Sequence, residues 1–269
     1  MTLQETPDAG TTIGRARWRG GLGNGLLVGI AAVVLGIGAR LPSVMAADLR
    51  LDQGVAAGRS GILTSVAVLL TTAAQPAVGL AAAVLVPLVL LLLRRRVLAV
   101  WIFGLFGVAL AGAAVIKVMI AEPRPPAVLA AVSADTGNSF PSGHVTVAAA
   151  ICVTVWMLTR HRDLAWRILL GGVAAAFAVG VGWSRVYLGV HYLPDVVGSY
   201  LVVASAALLV NAFFGVPAVR ALLDRLTPAA CAPLVRVRPG GRSRSRGRAQ
   251  VGAGEGDEHP EGDQVQDQG

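Results

Sequence analysis

Long apolar stretches separated by short polar breaks set the pattern of this chain. Six of them approach the roughly 20 residues a helix needs to cross about 30 Å of hydrocarbon. They run Leu22–Ala39, Pro76–Leu93, Val97–Ile116, Val145–Thr159, Ile168–Trp183 and Leu193–Phe214. Each is read as a membrane-spanning helix, because a helix satisfies all its backbone polar groups within one segment. A seventh stretch, Ile62–Ala74, is short and rich in Thr and Ser, and is expected as an interfacial helix on the outer side. The first stretch has two readings. It follows Arg15, Arg17 and Arg19 and precedes Val44-Met45-Ala46, so a cleaved signal peptide competes with the favoured retained span, and cleavage would leave the remaining topology unchanged.

The breaks orient the helices. Arg15, Arg17 and Arg19 precede the first span, Arg94, Arg95 and Arg96 separate the second from the third, Arg160, Arg162 and Arg167 separate the fourth from the fifth, and Arg220 and Arg225 follow the sixth. With an even number of spans these cations share one face, which the positive-inside rule makes cytoplasmic. Both termini are therefore expected inside the plasma membrane. After Pro239 the sequence turns to Gly, Ser and Arg and then becomes acidic, a composition that cannot bury enough apolar surface to fold. The expected domains are a cytoplasmic N-terminal segment at 1–21, a transmembrane domain at 22–215, and a cytoplasmic, largely disordered tail at 216–269. Arg242, Arg244, Arg246 and Arg248 in that tail are read as a solvated charge run or a contact to anionic head groups.

Composition agrees with the bilayer as solvent: 55% of residues are hydrophobic and 14% charged, with a mean hydropathy of +0.67. The formal charge of +8 does not imply nucleic acid, since the arginines fall in short clusters between apolar stretches rather than in one stripe. The two cysteines, Cys152 and Cys231, support neither a disulfide framework nor a metal site. His161 and His259 stand apart, without partners.

On the face opposite the cations, polar residues gather at the ends of four consecutive spans. Lys117 ends the third, followed by Arg124-Pro125. Pro141-Ser142-Gly143-His144 opens the fourth, Ser184-Arg185 ends the fifth, and His191 with Asp195 opens the sixth. Antiparallel neighbours bring these ends into one layer. Three cations, two histidines and a carboxylate in one layer suit phosphoryl transfer, where charge on the equatorial oxygens must be stabilised heavily. Lys117, Arg124 and Arg185 can clamp those oxygens, arginine through its planar fork. Ser142 and Gly143 stand where a helix begins and free N–H groups bind anions. Asp195, one turn after His191, can hold one ring nitrogen and leave the other as nucleophile. His144 is then the acid for the leaving oxygen.

This arrangement resembles the three-part signature of the type 2 phosphatidic acid phosphatase family, whose superfamily includes bacterial acid phosphatases and vanadium haloperoxidases. Lys117, six residues, Arg124-Pro125; Pro141-Ser142-Gly143-His144; and Ser184-Arg185, five residues, His191, three residues, Asp195 satisfy all eleven signature positions. The resemblance extends over about residues 48–214. It implies an all-α, six-span bundle with an active site at the outer interface. It implies His191 as nucleophile, Asp195 as its partner, His144 as general acid, and Lys117, Arg124, Ser142, Gly143 and Arg185 as phosphate ligands. No metal or other cofactor is implied. The expected substrates are lipid phosphates or diphosphates, with undecaprenyl diphosphate, phosphatidic acid and phosphatidylglycerophosphate as candidates and membrane lipids as the surroundings. Rival readings are a vanadate-loaded pocket, and a transporter whose cations only bind a phosphate head group. Trp183, Tyr187 and Tyr192 are assigned to interfacial anchoring. Glu122, Asp135, Asn138 and Ser139 are read as solvated loop, with tuning of substrate choice as the alternative.

Overall fold

The structure, a computed structural model, describes residues 9–133 and 136–226. Asp135, Cys231, His259 and the tail arginines 242–248 lie outside the described residues. The described chain is all-α. Its helices are α1 (Ala9–Ala39), α2 (Pro42–Ala57), α3 (Gly61–Ala73), α4 (Pro76–Leu92), α5 (Arg96–Ile120), α6 (Gly143–Thr159), α7 (Leu164–Tyr187), α8 (Leu193–Gly215) and α9 (Pro217–Leu226). The six expected spans fall within α1, α4, α5, α6, α7 and α8. By length and composition, five stretches can cross a membrane: Trp18–Ala39, Gly61–Leu92, Arg96–Ile120, Leu164–Tyr187 and Leu193–Gly215. The shorter α6 has 17 residues and is enclosed by α4, α5, α7 and α8. Large apolar side chains point outward along the bundle, Leu27, Val34, Leu80, Leu92, Val118 and Val173 among them, as lipid solvent allows and water does not. The chain is a membrane protein.

Local sequence explains the helix boundaries. Pro42 and Pro76 open α2 and α4 and Pro194 stands in the first turn of α8, where a missing N–H costs nothing. Ser60 caps α3 by accepting from Leu63 N–H at 3.4 Å. α5 ends at Ala121, whose φ of 50° is left-handed and which closes the helix through its N–H to the Lys117 carbonyl at 3.2 Å.

In lipid, helices associate through close packing and hydrogen bonds rather than through removal of apolar surface from water. α1 lies along α8 accordingly. Gly21 faces Ala212, Gly25 faces Leu209 and Gly29 faces Ser205, while Ser205 Oγ donates to the Gly25 carbonyl at 2.8 Å. This packing makes the first apolar stretch part of the bundle. Trp101, Ile102, Leu105 and Phe106 of α5 meet Ala149 and Ala150 of α6 and Val203, Ala206 and Val210 of α8 in the central core. Trp101 Nε1–H donates to Asn211 Oδ1 at 2.9 Å.

The seventh stretch departs from expectation. α3 does not lie along the interface but runs antiparallel to α7: Thr64 is beside Tyr187, Leu70 beside Gly180, and Ala74 in a cluster with Ala178. It continues after the break at Gln75 into α4, so the two form one apolar stretch. The anchoring assignment also needs correction. Trp183 is 39% exposed, but Tyr187 and Tyr192 are buried at 6% and 5%. Tyr187 accepts the Ser60 N–H at its hydroxyl, 2.9 Å, and its carbonyl accepts from Arg59 Nε at 2.7 Å, which fastens the α2–α3 turn to the end of α7. His161 accepts from Arg160 Nε at 3.0 Å, so it has a partner.

Phe140 matters most for the site. Its fully buried ring packs among Ala32 of α1, Ala113, Ile116 and Ile120 of α5, and Val202 of α8. The ring occupies space left by two missing side chains: a Cβ at Gly36 would come within 2.7 Å of it and one at Gly198 within 2.3 Å. Gly198→Ala is therefore expected to destabilise the fold by about 1–3 kcal/mol, the usual range for overpacking. Gly172→Ala, where a Cβ meets nothing within 4 Å, leaves stability unchanged or raises it. Thermal unfolding of both variants in detergent checks this; equal midpoints would dismiss the wedge.

Candidate active site

The turn after α7 delivers the nucleophile candidate. Gly189 has φ of 69°, and a Cβ there would meet the Leu129 carbonyl oxygen at 2.5 Å, so glycine is required for both backbone angle and space. Two residues later His191 is buried at 1% exposure. Its Nδ1 lies 2.9 Å from Asp195 Oδ2, and its Nε2 lies 3.2 Å from Arg124 Nη1. A guanidinium only donates, so Nε2 is the acceptor and Nδ1 carries the proton given to Asp195. This tautomer leaves the Nε2 lone pair pointing toward the cations.

Asp195 is fixed from several sides. Its Oδ2 also accepts from Tyr192 N–H at 3.0 Å, the carboxylate capping the helix it begins. Ser139 Oγ donates to the same oxygen and stands 3.2 Å from His191 Nδ1. Burial holds the His191 pKa down, to about 4, overcoming the opposite pull of Asp195, with Arg185 and Arg124 adding to the depression. The imidazole is therefore neutral throughout the physiological range.

The first two motifs interlock through backbone carbonyls. Lys117 Nζ donates to the Asn138 and Ser139 carbonyls at 2.8 and 3.0 Å, and Asn138 Nδ2 returns a bond to the Lys117 carbonyl at 3.0 Å. Arg124 donates from Nε to the Gly137 carbonyl at 3.0 Å and from Nη1 to the Val190 carbonyl at 3.1 Å. Ser142 stands at the N-cap position of α6, buried, with no protein partner for its Oγ. Beside it, Gly143 borders open space, since a Cβ there would meet nothing within 4 Å. Ser142 N–H reaches the Asp195 carbonyl at 3.4 Å, and Ser199 Oγ bridges the Ser142 and Asp195 carbonyls at 3.0 and 2.7 Å. His144 is buried in the first turn of α6. Arg185, buried at the end of α7, donates to Thr71 Oγ1 of α3 at 2.8 Å and lies close enough to His191 to act on its charge.

The structure thus gathers Lys117, Arg124, Ser142, His191, Asp195 and Arg185 at one end of the bundle, with Gly143 and His144 on the adjoining turn. Two residues read as solvated loop belong inside: Ser139 and Glu122 are both 0% exposed. Ser139 stood two residues before the Pro-Ser-Gly-His segment, and its proximity was the only sequence signal. Among the described residues, no three His, Cys, Asp or Glu side chains form a group able to hold a metal ion.

Known proteins share sequence and fold with this chain. The model of the PAP2 superfamily matches residues 98–216. An undecaprenyl-diphosphatase, BcrC, of Bacillus subtilis strain 168 is 34% identical over 112 residues, covering 40% of this chain and 53% of that protein. Phosphatidylglycerophosphatase B of the same organism is 37% identical over 89 residues, covering 32% of this chain and 43% of that protein. The chain thus spans about half the length of the curated relatives it matches. A crystal structure of a transmembrane PAP2 type phosphatidylglycerolphosphate phosphatase from Bacillus subtilis superposes with a TM-score of 0.61 at 22% identity, covering 76% of this chain and 98% of that one; it shares the fold. The match to the PAP2 superfamily, residues 98–216, contains Lys117, Arg124, Ser142, Gly143, His144, Arg185, His191 and Asp195.

Proposed function

We propose that this protein is a membrane lipid phosphatase that hydrolyses a phosphomonoester or diphosphate through a phosphohistidine. The observation that carries the reading is the neutral His191, with Nδ1–H held by Asp195 and Nε2 turned to Arg124. Nε2 attacks phosphorus, the N–P bond forming as the bond to the leaving oxygen breaks. Protonated His144 gives its proton to that oxygen. Neutral His144 then takes a proton from water as the water oxygen attacks phosphorus, breaking the N–P bond and releasing phosphate and neutral His191. Lys117, Arg124 and Arg185 offset charge on the equatorial oxygens, and the Ser142 hydroxyl and Gly143 N–H complete the cradle. The mechanism asks for no metal.

Undecaprenyl diphosphate is the substrate we favour, with phosphatidic acid and phosphatidylglycerophosphate as alternatives; the two curated relatives carry the first and third of these lipids in their names. The arginine-rich breaks at the end of the bundle away from the site support a plasma-membrane protein with both termini cytoplasmic and the site facing outward. The catalytic unit is placed at 22–215, between the segment 1–21 and the tail 216–269. Phosphate release from the three lipids in detergent micelles, with EDTA present, tests the reading and ranks the substrates. Release from none of them would move it toward head-group binding and transport.

The depressed His191 pKa adds an expectation. The neutral nucleophile persists well below the ordinary histidine value of 6.5, so activity limited by its deprotonation falls only as pH drops through about 4. The same sign holds for stability: the neutral form's contribution is complete above 6.5 and disappears toward 4. An acid limb of kcat/KM centred near 6.5 and assignable to His191 would contradict the geometry.

A further inference from the structure

We propose that Glu122 is a positioning residue for the His191–Asp195 pair: a neutral carboxylic acid that donates to Asp195 Oδ1 and locks the carboxylate whose other oxygen holds His191. The proposal rests on the phosphatase reading for its kinetic consequence and on geometry for its origin. Glu122 is the second residue after α5, turned inward by the left-handed Ala121 and clamped by Ser139 N–H on its carbonyl at 2.8 Å. One residue before that turn, the Ile120 carbonyl accepts from Arg40 Nη1 at 2.8 Å. The side chain is fully buried, and no N–H or hydroxyl group reaches either of its oxygens or Asp195 Oδ1. Ser139 ties the two residues together, its N–H on the Glu122 carbonyl and its Oγ on Asp195 Oδ2, so three unpartnered carboxyl oxygens are buried in one layer, where each carboxyl acts on the charge of the other.

Two carboxyls buried in one layer with no donor between them do not both keep their charge, so one of the pair is an acid that can donate to the other. The donors decide which. Asp195 Oδ2 already receives Ser139 Oγ, His191 Nδ1 and Tyr192 N, an environment that suits an anion. Glu122 receives none, and keeps the proton. Its surroundings agree. Burial, the bond to Asp195 and the negative charges of Asp195 and Asp48 push its pKa to about 9, with Arg40 pulling weakly the other way. Asp52 of α2 and Tyr192 share the layer; Asp52 is raised to about 7, and Tyr192, pushed to about 12, stays neutral beyond the range in question. With Glu122 donating, both Asp195 oxygens are committed, and the carboxylate can neither rotate nor take up the His191 proton.

The sign for pH follows. Below about 9 Glu122 is the donor; above it, the ionised carboxylate repels Asp195 and the His191 tautomer is no longer held. Glu122→Gln keeps a neutral N–H donor that never ionises, whereas Glu122→Ala removes the donor. Two readouts are needed: pH–rate profiles for phosphate release in micelles, and ¹⁵N spectra of histidine-labelled protein, in which His191, one of four histidines, is assigned from a His191→Gln sample. Expected results are a wild-type alkaline limb near pH 9 that moves up by at least about one unit in Glu122→Gln, with kcat at pH 7 within about threefold and the Nδ1–H tautomer intact. Glu122→Ala should lose at least about tenfold in kcat with little change in KM, and show mixed His191 tautomers. An unshifted alkaline limb in Glu122→Gln, or wild-type kcat and tautomer in Glu122→Ala, overturns the proposal. If no protein releases phosphate but the tautomer still depends on residue 122, the positioning role stands and the phosphatase reading fails.

Discussion

Replacing His191 with alanine is expected to lower kcat for phosphate release by at least about 10³-fold and up to about 10⁶-fold, the range seen when a covalent nucleophile is removed. Other groups cannot substitute for it. Asp195 is turned away behind the imidazole, Ser142 Oγ has no base within its own hydrogen bonds, and Ser139 is committed to Asp195. The cations and the α6 N-terminus remain, so substrate binding should persist with KM changed by less than the rate. Losing one imidazole from a tightly bonded site costs some stability, and an unfolding midpoint within several degrees of wild type would show that the chemistry, not the fold, was lost. Wild-type rates in this variant would move the nucleophile elsewhere.

Asp195→Asn should come close to the same loss. The corresponding change beside a catalytic histidine costs about 10⁴-fold because the amide favours the wrong tautomer. Here Oδ2 accepts from Ser139, His191 and Tyr192 at once. An amide can place its oxygen toward those three donors, but only as a neutral and weaker acceptor, and its NH₂ would then face Glu122. Placed the other way, it sets N–H against N–H. Either arrangement loosens His191 and weakens support for the cationic phosphohistidine. Phosphate release and ¹⁵N spectra of His191 measured together separate the cases; a rate within tenfold of wild type would mean that Asp195 caps α8 and does little else.

The sequence made the helices and the polar layer readable for one reason. A membrane span is a local property of about 20 residues, and antiparallel connection forces alternate ends to one side, so Lys117, His144, Arg185 and His191 could be placed together before any fold was known. Glu122 and Ser139 could not be found that way. Their burial depends on the left-handed turn at Ala121 and on how residues 139–142 pack over the start of α8, which is decided by contacts between residues far apart in the chain. Tyr187 misled for a related reason: an aromatic at a span end is expected at the interface, and only the return of the α2–α3 turn covers it. The Thr- and Ser-rich composition of α3 suggested a surface helix, whereas Thr71 contacts Arg185 inside the bundle.

The Phe140 wedge bears on how chains of this kind should be compared with one another. Glycine at positions 36 and 198 carries no functional group, and neither position belongs to the polar signature. Yet those two vacancies let the ring sink between α1, α5 and α8, and Ser142 and Gly143 follow it by two and three residues. In a chain with the same catalytic letters, added bulk at either place is expected to push the ring outward, and with it the segment that carries the serine and the glycine, so steric volume far from the polar signature can tune the site.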